Sequence, residues 1–151
     1  MLYIKWVSGR LQDKANVTLI ANEVEAFYTN VNGDGNLVHT VQCNHTLEKI
    51  IGQIRSGAPD SRILLISPIW LGENVWKLGF DPEFSEKSVD VSKHLAKVYR
   101  QIAEKENIPF LNAAAYAKPS AADQEHMDPE NHRLLAEAIY QKVIEIEGIL
   151  G

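Results

Sequence analysis

Residues 62–67 read Arg-Ile-Leu-Leu-Ile-Ser and are stopped by Pro68. A continuous apolar run of this length, closed by a proline that cannot donate to a ladder, reads as a strand buried on both faces. Such a strand needs cover on two sides, and the flanking sequence supplies it. Leu47, Ile50, Ile51 and Ile54 fall on one helical face, and Gly57-Ala58-Pro59 ends that helix. Downstream, Ser85 stands as an N-cap ahead of Val91, Leu95, Val98, Tyr99 and Ile102, again at helical spacing, and this helix stops before Pro109. Residues 110–112 (Phe-Leu-Asn) give a last strand. Asp128-Pro129 then pairs an N-cap acceptor with proline at the first helical position. The helix it opens is apolar along Leu134, Leu135, Ala138, Ile139, Val143 and Ile146. Helix, strand, helix, strand, helix is α/β alternation, which implies a parallel sheet.

The stretch before residue 46 carries weaker signals. Residues 2–7 read as a short strand and Ser8-Gly9-Arg10 as a turn. Residues 16–21 form a second apolar, β-branched run, and 30–36 (Asn-Val-Asn-Gly-Asp-Gly-Asn) a loop by composition. That loop lacks the acidic ladder and terminal Glu of a calcium site. Residues 37–42 fit a short edge strand. Between the first buried strand and Ser85, residues 69–82 read as a long loop carrying Trp70, Trp76 and Phe80. These aromatics suit either the wall of an acyl or sugar pocket or simple cover for the end of the sheet.

With 151 residues and 45% hydrophobic content, one domain spanning 1–151 is expected, without repeat, linker or low-complexity segment. The net charge of -5 argues against nucleic acid as a partner. Cys43 stands alone, which excludes an internal disulfide and a cysteine-rich metal site. No apolar run reaches membrane-span length and no signal-peptide pattern opens the chain, so a cytoplasmic protein is expected. His39, His45 and His94 read as solvated or partner-bonded histidines, and His132 as a polar residue of the last helix's first turns. Metal and cofactor are both expected to be absent.

The chemistry-bearing pattern is Asp123-Gln124-Glu125-His126, a D-x-x-H on the loop just before the last helix. A carboxylate beside an imidazole can hold it in one tautomer and stabilise its charged form. Asp-x-x-His, then a hydrophobic residue, an acidic position and Asn-His ahead of a Leu-rich helix resembles the last sequence block of the SGNH (GDSL-type) hydrolases, which are serine esterases and lipases. The resemblance covers the C-terminal two-thirds of the chain, from about Asn44. It implies a three-layer, flavodoxin-like α/β fold with four or five strands, His126 as general base and Asp123 as its orienter. The family usually has Gly between that Asp and the hydrophobic residue before His, where this chain has Gln124 and Glu125.

In the first third, Val7-Ser8-Gly9-Arg10 resembles the family's second block and implies Gly9 as a backbone donor to the oxyanion. Ile20-Ala21-Asn22-Glu23 resembles the third block and keeps Asn22, with Ile for Gly and Glu for Asp. The Gly-Asp-Ser nucleophile block is not found. One reading therefore has an N-terminally shortened chain that begins inside the second strand. The other makes residues 2–7 the central strand and Ser8 a substitute nucleophile. Either arrangement leads to an expected homodimer or a rearranged sheet, because an unpaired strand edge recruits another chain. The function implied is hydrolysis of a carboxylic ester, a short acyl or acetylated-sugar ester. The rival is a catalytically inactive remnant serving as a binding or assembly module. A flavodoxin-like nucleotide binder lacks the Gly-rich phosphate turn it would need.

Overall fold

The computed structural model describes residues 38–148, with side chains from Thr46 onward. The strands expected at 2–7 and 16–21, the loop at 30–36, and Ser8, Gly9, Asn22, His39, Cys43 and His45 lie outside the residues whose side chains are described.

Helix α1 (Val38–Gly57) leads to strand β1 (Leu65–Ser67). The short α2 (Val75–Leu78) and the long α3 (Glu86–Lys105) follow. Strand β2 (Phe110–Asn112), a 3-10 turn (Ala113–Ala115) and α4 (Pro129–Glu147) complete the order. β1 and β2 are parallel neighbours in the register Leu65↔Phe110, Ile66↔Leu111 and Ser67↔Asn112.

Alternation along these strands sorts the core into two clusters. Leu65 points to one side, where it packs with Leu47 and Ile51 of α1 and with Leu95, Val98, Tyr99 and Ile102 of α3. Leu64 and Ile66 point to the other, where they meet Leu135, Ala136 and Ile139 of α4, together with Leu111 and Ala113. Helices therefore cover both faces of a parallel sheet, and the layers are α/β/α.

Several local expectations change. The strand expected at 62–67 is confined to Leu65–Ser67, and Leu134, expected on the apolar face of the last helix, is exposed. The edge strand expected at 37–42 is helix from Val38 onward, where α1 begins. Extending an already nucleated helix adds one hydrogen bond per residue, whereas an edge strand needs a partner at once. The loop expected at 69–82 contains α2, seated by Val75, which is buried in the first cluster. On α3 the buried face is turned from Val91 toward Ser88, Val89 and Ser92. The two serines tolerate burial because their hydroxyls are used. Ser92 Oγ donates to the Val89 carbonyl at 2.7 Å and accepts the Leu71 N–H at 3.0 Å, and Ser88 Oγ accepts the Ser85 N–H at 3.0 Å.

The N-terminus of α4 is built as its sequence requires. Asp128 caps the helix by accepting the Asn131 N–H at 2.8 Å. The same oxygen takes the Asn131 side-chain amide at 2.8 Å, and Asn131 Oδ1 accepts the Lys118 N–H at 2.9 Å. Asn131 is buried, so both ends of its amide are satisfied, and the chain entering the Asp-His loop is tied to the helix leaving it.

Candidate active site

Both strands end on the same side of the sheet, since they are parallel. β1 runs out through Pro68 toward α2, and β2 runs out through the 3-10 turn toward Ser120. The loop from Ser120 to Asp128 stands at this carboxyl end, the position at which open α/β sheets place their ligands.

The loop closes on itself. Ser120 N–H donates to the His126 carbonyl at 2.7 Å and Gln124 N–H to the Ser120 carbonyl at 3.0 Å. Inside it, Asp123 Oδ1 accepts the Glu125 N–H at 3.0 Å, the His126 N–H at 3.0 Å and the Ser120 hydroxyl at 3.2 Å. That leaves Oδ2 for the imidazole, and His126 Nδ1 lies 3.1 Å from it. The structure thus brings Asp123 and His126 together.

These contacts hold the Asp123 carboxyl down at about 2, chiefly through the Glu125 N–H, then the His126 N–H, the His126 ring and the Ser120 hydroxyl, against some opposing desolvation. At neutral pH Asp123 is therefore an acceptor only. The 3.1 Å contact then requires the hydrogen on His126 Nδ1, which leaves the Nε2 lone pair available in the neutral ring. The ring's side chain is 74% exposed, so that lone pair is open to an incoming group.

The Asp123 pKa is lowered in the folded loop, so its contribution to loop stability is full above the ordinary value of 3.8 and is lost as pH falls through about 2. The backbone amide signal of Glu125 is expected to show a step centred near pH 2. In Asp123→Ala that step is absent. A step centred near the ordinary carboxylate value of 3.8 instead would contradict the assignment.

The other sequence candidates are placed as follows. His94 is exposed, with Nδ1 2.8 Å from the Asp90 carbonyl of its own helix. His132 sits part-buried in the first turns of α4, and burial pushes its imidazole down. Among the described residues no group of three or more His, Cys, Asp or Glu is arranged to hold a metal ion. Trp76 packs against the first core cluster, while Trp70 and Phe80 are exposed. No described serine hydroxyl is hydrogen-bonded to the His126 ring. Ser67 Oγ, buried at the end of β1, donates to Asn112 Oδ1 at 3.1 Å at the end of β2.

Sequence reasoning missed one element of the site. Gln124 has a left-handed backbone, φ 61°. Its carbonyl accepts the Gly72 N–H at 2.8 Å and its side-chain Oε1 accepts the Asn74 N–H at 2.8 Å. Gly72 is required there, since a Cβ would lie 2.5 Å from both Gln124 Cβ and Oε1. The one sequence signal was a non-glycine residue where the resembled family usually carries Gly, a position suited to positive φ.

No protein-family model matches the chain, and no curated protein matches it. Solved structures do. One superposes with a TM-score of 0.67 at 30% identity, covering 79% of this chain and 56% of the other. A carbohydrate acetylesterase family member from Sinorhizobium meliloti gives 0.62 at 23% identity, over 72% of this chain and 53% of that one. The native aryl esterase of M. smegmatis gives 0.59 at 21% identity, over 70% and 52%. The chain thus spans a little over half the length of the structures it matches.

Proposed function

We propose that this chain, which has the fold of the SGNH-type hydrolases, is a carboxylic ester hydrolase whose general base is His126 and whose orienting carboxylate is Asp123. The observation that carries the reading is the 3.1 Å contact between Asp123 Oδ2 and His126 Nδ1, on an open loop at the carboxyl end of the sheet. It directs the Nε2 lone pair outward, as a base for a hydroxyl requires. The similarity in fold to an acetylesterase and an aryl esterase supports the same class of substrate, a short acyl or acetylated-sugar ester.

The reaction is acyl transfer. A serine hydroxyl attacks the ester carbonyl carbon while Nε2 takes its proton. The imidazolium that forms is stabilised by Asp123 and returns the proton to the leaving alkoxide as the C–O bond breaks. A water then attacks the acyl-enzyme, again giving its proton to Nε2, and the acid leaves as the serine is restored. On one alignment Gly9, with Asn22, is the candidate oxyanion donor and the serine comes from elsewhere, in this chain or a partner subunit. On the other, residues 2–7 are the central strand and Ser8 is the candidate nucleophile, which displaces Gly9 from the donor role.

The test is turnover of a short-chain aryl ester by the purified protein. The reading expects saturable hydrolysis well above the buffer rate. Turnover no faster than buffer contradicts it and leaves a non-catalytic binding or assembly module.

A further inference from the structure

The Asp123–His126 pair is local to one loop, and an exposed loop cannot by itself aim an imidazole. Its internal hydrogen bonds fix the shape of residues 120–126 but not their direction relative to the sheet. The loop hangs from α4, whose buried face belongs to the second core cluster. The segment opposite, from Leu71 to Val75, belongs to the first. Leu71 and Val75 are buried there, and the Leu71 N–H is held by the fully buried Ser92 hydroxyl at 3.0 Å. The 71–75 segment is therefore a fixed reference.

Gln124 joins the two. It lies between Asp123 and His126, and it makes two hydrogen bonds to residues about 50 positions away, one from its backbone and one from its side chain. Both are made with Gln124 in a left-handed backbone, a conformation disfavoured for a residue with a Cβ. Both also need the bare Cα of Gly72. A conformation that is locally unfavourable persists when its surroundings over-determine it.

We propose that Gln124 is a positioning residue: through its backbone carbonyl and its Oε1 it fastens the Asp123–His126 loop to the 71–75 segment and so fixes the direction of the His126 imidazole. The catalytic consequence rests on the hydrolase reading above. The structural claim can be tested without turnover.

The experiment compares wild type with Gln124→Ala and Gln124→Glu. Gln124→Ala removes the Oε1 acceptor, and Gln124→Glu keeps an oxygen in its place. Three readouts are taken: hydrogen exchange at the Asn74 amide, the His126 tautomer from imidazole nitrogen shifts at alkaline pH, and ester kinetics. Wild type is expected to show a protected Asn74 amide and a single Nδ1–H tautomer. In Gln124→Ala, Asn74 exchanges about tenfold faster, as loss of one such hydrogen bond implies. The Nδ1–H tautomer is kept, because Asp123 and His126 share one loop, and kcat falls by up to about 10²-fold with KM little changed. Gln124→Glu restores the Asn74 protection and kcat. A Gln124→Ala protein that keeps the Asn74 protection or the wild-type kcat overturns the proposal, as does one whose ring becomes a tautomer mixture, since the loss would then lie in the Asp123–His126 pair and not in its direction. Should Gln124→Ala fail to fold, Gln124→Gly carries the same comparison, since glycine takes φ 61° without strain. A wild type without ester turnover removes the hydrolase reading, and the Asn74 exchange readout still decides whether Gln124 fastens the loop.

Discussion

Replacing His126 with alanine is expected to lower ester turnover by about 10⁴-fold or more, because base and nucleophile act as one unit and neither functions without the other. The protein should keep its fold. The His126 side chain is 74% exposed, and its ring contacts acceptors of its own loop, Asp123 Oδ2 at 3.1 Å and Glu125 Oε2 at 3.9 Å. Unchanged thermal unfolding with lost turnover is therefore the expected signature. Ser8→Ala sharpens the result. If both substitutions abolish turnover, Ser8 is the nucleophile and residues 2–7 take the central place in the sheet. If His126→Ala abolishes turnover and Ser8→Ala does not, another serine supplies the hydroxyl. A His126→Ala protein that hydrolyses the ester at the wild-type rate contradicts the base assignment.

Leu135→Ala is expected to destabilise the protein by about 2–5 kcal/mol, the range for truncating a leucine in a packed core. Leu135 is 4% exposed on α4 and shares the second cluster with Leu111, Ala113, Ala117 and Ile139. For a chain of this length the loss corresponds to a fall in Tm of roughly 5–15 °C. Leu134 lies beside it in sequence but is 38% exposed, so Leu134→Ala should change stability by only about 0.5 kcal/mol. Urea unfolding of the two variants checks the pair, and equal effects would mean that the face of α4 is wrongly assigned. The site depends on this packing, because the residues that cap α4, Asp128 and Asn131, are also those that anchor the chain entering the Asp-His loop.

The elements legible in the sequence are those whose signals are local. Phe110–Asn112 is a strand as read, and Asp128 with Pro129 starts α4 as read, because a cap needs only its neighbours. The Asp123–His126 contact was legible for the same reason, since the two residues are three apart on a turn. Longer-range features were hidden. A four-residue helix such as α2 has too few positions to show a period, and it depends on Val75 finding the core. Ser88 and Ser92 carry no apolar signal, yet they are buried, and each hydroxyl meets a backbone partner. The bond from Gln124 to Asn74 joins residues 50 apart, and no spacing rule reaches across that distance.

The central claim, that His126 activates a serine in this protein, is tested most directly by covalent trapping. The purified protein is treated with an organophosphonate ester that reacts only with activated serine hydroxyls, and intact mass and peptide mapping follow. One adduct per chain is expected, on a serine, formed in wild type and absent from His126→Ala. An adduct on Ser8 would identify the nucleophile as well. Wild-type protein that stays unmodified, or that is labelled equally with and without His126, would contradict the account.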